Sequence, residues 1–83
     1  MSQTDKTIIF SRSTAVNDSS TINKIDFDPN TETMMVTFNT GMEYVYSPVS
    51  QQIYGAVVSA DSVGKALNTL VKDNDSISYV KVD

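Results

Sequence analysis

From Thr21 onward the chain alternates apolar and polar residues with a period of two. In TINKIDF, Ile25 and Phe27 fall on one face and Lys24 and Asp26 on the other, the pattern of a half-buried strand. DPNTET interrupts it, with Asp28 and Pro29 placed to start a type I turn. A second strand follows, in which Met34, Val36 and Phe38 alternate with Met35, Thr37 and Asn39. After NTG a third strand puts Met42, Tyr44 and Tyr46 on one face.

Burial selects the register, because a slip of one residue turns a strand over. A three-residue loop Asn39, Thr40, Gly41 with a left-handed Gly41 pairs Phe38 with Met42, Val36 with Tyr44 and Met34 with Tyr46, keeping the apolar residues on one side. The same logic across DPNTET pairs Phe27 with Met34 and Ile25 with Val36. The expectation is an α+β fold built on a small three-stranded antiparallel meander with one apolar face.

Two helices are expected to cover that face. Val49, Ile53, Ala56, Val57 and Ala60 have helical spacing, Ser50 is placed as N-cap, and Val49 with Tyr54 as a hydrophobic staple. In DSVGKALNTLVKD, Asp61 or Ser62 caps a second helix whose apolar stripe is Val63, Ala66, Leu67, Leu70 and Val71. Gly64 lies in its first turn, where glycine costs about 1 kcal/mol relative to alanine; its presence there suggests close approach of another backbone or a ligand. The ends are strand-like: Ile8, Ile9 and Phe10 inside a polar arm over residues 1–18, and SISYVKVD within a C-terminal extension over 74–83, with the domain proper at 19–73. The C-terminal segment is expected either to add an edge strand to the meander or to pair with the Ile8 to Phe10 segment of the same or another chain, and the arm to dock on its own domain or a neighbouring subunit; exposed edges of this kind favour a homo-oligomer.

Composition then narrows the chemistry. The 83 residues contain no histidine, cysteine or tryptophan, which removes the commonest general base, the thiolate nucleophile and the usual metal ligands. Asp26, Asp28 and Glu32 lie around one turn and read as solvated charges. No catalytic residue, metal or cofactor is expected, and the chain is read as a non-enzymatic binding module. Its formal net charge of −4, with Arg12 as the single arginine, has the wrong sign for affinity drawn from many phosphates, so RNA ranks below a small anion or single nucleotide. The N-terminus lacks the basic start and apolar run of a signal peptide and no later stretch is long enough to span a bilayer; a cytoplasmic protein without membrane contact is expected.

The ordered series Ser20, Ile22, Asp28-Pro29, Gly41, Tyr44, Tyr46, Val49, Ile53-Tyr54, Val57-Val58, Ala60, Ser62, Gly64 and Asn68 resembles the KTSC domain. This short module takes its name from the C-terminal extension of some lysyl-tRNA synthetases and also occurs as stand-alone bacterial and phage proteins. The resemblance implies a small antiparallel sheet with two helices. Its synthetase context makes RNA binding an alternative function, and its phage members make capture of a host defence signal nucleotide another use. Leu67 before the asparagine, and the acidic first half of KDNDSISYVKVD, depart from the aromatic and basic residues of many members and weigh against RNA.

Two constellations stand out. Ser62, Gly64, Lys65 and Asn68 occupy the first turns of a helix, where free N–H groups favour an anion; ordinary capping and helix packing account for them equally well. Tyr44 and Tyr46 share a face and read as core with hydroxyls toward a pocket rim, the alternative being a base-stacking platform. With Tyr54 these six form the candidate ligand-binding set. A protein-interaction or inhibitor module is the remaining alternative.

Overall fold

A computed structural model of the protein describes residues 8–16 and 21–82. One five-stranded antiparallel sheet runs in the order of the sequence: β1 Arg12–Ala15, β2 Ile22–Asp28, β3 Thr33–Phe38, β4 Glu43–Ser47 and β5 Ser78–Val82. Between β4 and β5 the chain forms α1 (Gln51–Val58) and α2 (Val63–Leu67), the latter continuing through a π-helical turn over Asn68–Lys72.

The central meander has the register that burial demands: Phe27 faces Met34, Ile25 faces Val36, Val36 faces Tyr44, and Met34 faces Tyr46. Gly41 adopts φ +92°, its N–H bonds the Phe38 carbonyl, and the Phe38 N–H bonds the Met42 carbonyl, closing the expected three-residue loop. The sheet is nevertheless five-stranded rather than three-stranded. Both terminal segments add a strand, and the N-terminal one is not the apolar Ile8, Ile9, Phe10 cluster but the polar RSTA that follows it. Ile8 and Ile9 are exposed, and the Ile9 N–H is tied to the Asp28 carboxylate at 2.9 Å.

The core lies between the sheet and the helices, formed by Ile22, Ile25, Phe27, Met34, Val36 and Tyr46 from the sheet with Val49, Tyr54, Val57, Leu67 and Val71 above. Ile22 and Ile25 are three positions apart, yet both point inward. A bulge between Ile22 and Lys24 inserts an extra residue against Phe38 and Thr37, so the alternation restarts. Ser50 caps α1 by accepting the Ile53 N–H at 3.1 Å. Within α1 the buried residues are Tyr54 and Val57, whereas Ala56, expected in the apolar stripe, faces solvent.

Of the three turn acids, Glu32 is exposed as expected, whereas Asp26 and Asp28 are buried, contrary to expectation. Asp28 is only 1% exposed and accepts the Ile9 and Asn30 N–H groups at 2.9 Å and the Thr31 hydroxyl at 2.8 Å. The Ile9 bond leads in holding its carboxyl below the usual aspartate range, against the opposing effect of burial. Asp26 is also buried, with Lys24 Nζ 3.7 Å from its Oδ2. These carboxylates are structural: Asp28 stitches the arm to the β2–β3 turn.

Candidate functional site

The helical layer stops short of the far edge of the sheet. β5 is exposed along its whole length, and the aromatic residues of β4 emerge from under the helices where β4 meets β5. One hollow lies beneath α2, on the side of β1 and β2, and a second adjoins it along this boundary.

The first, of 610 Å³, lies beneath the start of α2 and contains Ser62, Gly64, Lys65 and Asn68 together, facing Thr14, Ile22 and Phe38 of the sheet. Ser62 Oγ accepts the Lys65 N–H at 3.3 Å, the expected cap. The Asn68 side chain bonds no other described residue. Apart from its chain neighbours and the backbone of its own helix, no described atom lies within 4 Å of where a Cβ on Gly64 would stand. The glycine therefore does not serve close backbone packing and leaves the wall open. Lys65 and Lys72 bring positive charge to this hollow, offset in part by Asp61.

The second hollow, of 670 Å³, is aromatic. Phe38 and Tyr44 meet edge to face with centroids 5.7 Å apart, and Tyr79 of β5 lies 5.9 Å from Tyr44 and 6.1 Å from Tyr46. Tyr46 is the buried member, at 3% exposure. Burial first, then the neighbouring Tyr44 and Tyr79 hydroxyls, push its own hydroxyl above the ordinary tyrosine value. Tyr44 is half-buried and Tyr79 is 65% exposed, so the three rings grade from core to open surface.

Thr21, Phe38 and Lys72 line both hollows. Lys72 Nζ stands 5.4 Å from the Phe38 ring centroid, within cation–π range, at the junction between the polar and the aromatic halves. The π-helical turn carries it there, its Asp73 N–H reaching back five residues to the Asn68 carbonyl at 2.9 Å. Of the residues named from the sequence, Ser62, Gly64, Lys65 and Asn68 converge on one hollow and Tyr44 and Tyr46 on its neighbour.

Tyr54 lies elsewhere. It is a core residue, stacked on Phe27 with centroids 4.5 Å apart and planes 7° from parallel, its hydroxyl 2.8 Å from Thr14 Oγ1. Phe38, Lys72 and Tyr79 were not among the sequence-derived site residues. Only Tyr79 had a readable signal, since Tyr44 and Tyr46 already marked that face as aromatic.

The family model of the KTSC domain matches residues 18–74. The chain belongs to the KTSC domain family. An uncharacterized protein of Stutzerimonas stutzeri is 32% identical over 54 residues, which cover 65% of this chain and 76% of that relative. The crystal structure of a KTSC domain protein from Yersinia pestis superimposes with a TM-score of 0.73 at 23% identity, covering 87% of this chain and 97% of the other. The fold of this KTSC protein is thus shared with a solved member. The matched segment carries Phe38, Tyr44, Tyr46, Lys65, Asn68 and Lys72, whereas β1 and β5 with Tyr79 lie outside it. The Ser20 of the resemblance falls outside the described residues. Among the described residues no helix is long and apolar enough to cross a membrane.

Proposed function

We propose that this KTSC protein is a cytoplasmic, non-enzymatic module that binds and sequesters a small anionic, nucleotide-like ligand. The observation that carries the reading is the adjacency of the two hollows, joined at Phe38 and Lys72. A planar ring would enter the aromatic hollow against Tyr44 and Tyr79, where stacking contributes about 1–3 kcal/mol per base. A phosphate would lie beside Lys72 and Lys65 and take hydrogen bonds from the Ser62 hydroxyl and the Asn68 amide. Charge-assisted bonds of this kind contribute about 1.5–3 kcal/mol each. The sequence has no histidine or cysteine to activate a nucleophile, which favours holding a ligand over transforming it.

Native mass spectrometry and calorimetry with mono-, di- and cyclic nucleotides test this. A stoichiometric adduct is expected, weakened roughly tenfold or more by Lys72→Glu and by Tyr79→Ala while each variant keeps its melting temperature. Undiminished affinity in both variants would refute the site. Single-stranded RNA is the second reading, favoured by the exposure of Tyr79 beside Tyr44. It requires steep loss of affinity with salt, whereas one phosphate gives a shallow slope.

A further inference from the structure

β5 ends the sheet: it bonds β4 along one edge and presents its other edge to solvent. All five of its residues are exposed, including Tyr79 at 65%, Val80 at 66% and Val82 at 39%. Proteins usually protect such an edge with proline, a bulge or inward charges. β5 has no proline and its register with β4 is unbroken over Ser78–Val82; its single charge, Lys81, is the one protective feature it carries, and it opposes a partner strand only where that strand sets a second lysine against it.

We infer that β5 pairs antiparallel with β5 of a second copy about a two-fold axis at Val80, joining two five-stranded sheets into one of ten strands. The symmetry restricts the choice sharply, because side chains keep their faces only when one residue sits opposite its own copy. An axis at Lys81 sets two ammonium groups against each other, which destabilises a cross-strand pair. An axis at Tyr79 leaves Val82 without an opposite in the strand. The Val80 axis aligns all five residues, with valine on valine and Ser78 opposite Val82 of the partner subunit. It also sets Tyr79 opposite Lys81 of the partner subunit. Tyr79 and Lys81 both project to the helix side, since they pair with Tyr46 and Tyr44.

A second copy satisfies this edge in a closed way: β5 on β5 is isologous and ends at two chains, whereas β5 on β1 would repeat into open filaments. The pairing also bears on the aromatic hollow. The partner subunit's Lys81 comes over the exposed face of Tyr79, a cation–π arrangement that adds a positive charge to the rim, so that each copy contributes one lysine to the other's hollow. A five-residue strand covers well under the ~800 Å² per partner typical of a stable interface, which places the association in a weak, concentration-dependent range. The pairing does not depend on the ligand reading, and is tested without ligand.

Sedimentation velocity of the full chain over rising concentration tests it. A monomer–dimer equilibrium is expected. Val80→Asp and Val80→Lys, which each set like charges face to face at the axis, weaken it at least tenfold, and an equimolar mixture of the two restores a dimer. A monomer at every concentration, a dimer that survives in either variant, or a mixture that stays monomeric overturns the proposal. Hydrogen exchange on the unmodified protein reads the same contact without any variant. β5 amides slow as concentration rises, and exchange in β5 independent of concentration overturns the pairing even if a variant melts early.

Discussion

Replacing Gly64 with alanine isolates what the open wall beneath α2 means. The backbone there is ordinary helix: Gly41 is the described glycine with positive φ, and Gly64 lies within Val63–Leu67. A Cβ at Gly64 meets nothing within 4 Å beyond its chain neighbours and the backbone of its own helix, so no steric cost opposes the change. What remains is propensity, glycine being about 1 kcal/mol worse than alanine inside a helix. The expected gain is about 0.5–1 kcal/mol of stabilisation. For a domain of this length 1 kcal/mol shifts the melting temperature by about 4–8 °C, so a rise of roughly 2–8 °C is expected in circular-dichroism melts. Urea titrations should show a higher midpoint at unchanged m-value, the mark of a stability gain without altered denatured-state compactness. Gly64→Leu goes further, because its side chain enters the hollow; it should fold and bind ligand poorly. A Gly64→Ala protein that melts lower than the parent would refute the reasoning, since it would mean that protein atoms press on this wall.

Four further substitutions have outcomes set by the fold. Asp28 has its pKa held below its ordinary value near 3.8 in the folded state, so its contribution is fully present above that pH and is lost as pH falls through the lower folded value. Asp28→Asn should lower stability at neutral pH, and the gap from the parent should close below pH 4 in acid-unfolding curves; a constant gap would exclude the ionised carboxylate as its source. Glu32 has φ +53° and Gly41 +92°, so Glu32→Gly should stabilise by up to about 1 kcal/mol and Gly41→Ala should destabilise by about 1 kcal/mol, both read by denaturant titration. Tyr54→Phe removes the bond to Thr14 and should cost about 0.5–1.5 kcal/mol in thermal melts while leaving nucleotide affinity unchanged, because Tyr54 lies in the core and not in the hollows.

The core of this fold is legible in the chain because its information is local and repeated. Strict alternation in β2 to β4, the Asp-Pro and Asn-Thr-Gly turns and the Ser50 and Ser62 caps each act over a few residues, and requiring one apolar face then leaves a single register. The gathering of Ser62, Gly64, Lys65 and Asn68 follows from helical spacing alone. Other features depend on partners distant in sequence. RSTA has no apolar alternation, and only pairing with β2 and the bond from Thr14 to Tyr54 make it a strand. Ile22 reads as out of phase until the bulge turns it inward. Asp28 looks like a surface turn residue until Ile9, 19 positions earlier, donates to it.

The candidate site divides in the same way. Its aromatic half needed β5 to return beside β4, bringing Tyr79 to Tyr46, and its junction needed a π-helical turn to hold Lys72 over Phe38. Strand pairing across thirty or more residues is decided by which edge remains open after the rest has packed, a quantity that no local pattern contains. The sequence by itself determined the meander, its two helices and the clustering of Ser62, Gly64, Lys65 and Asn68 on one of them, through short-range sterics and burial; the tertiary structure alone decided the sheet's edges, the buried acids and the two adjoining hollows, through contacts that exist only once the chain has closed.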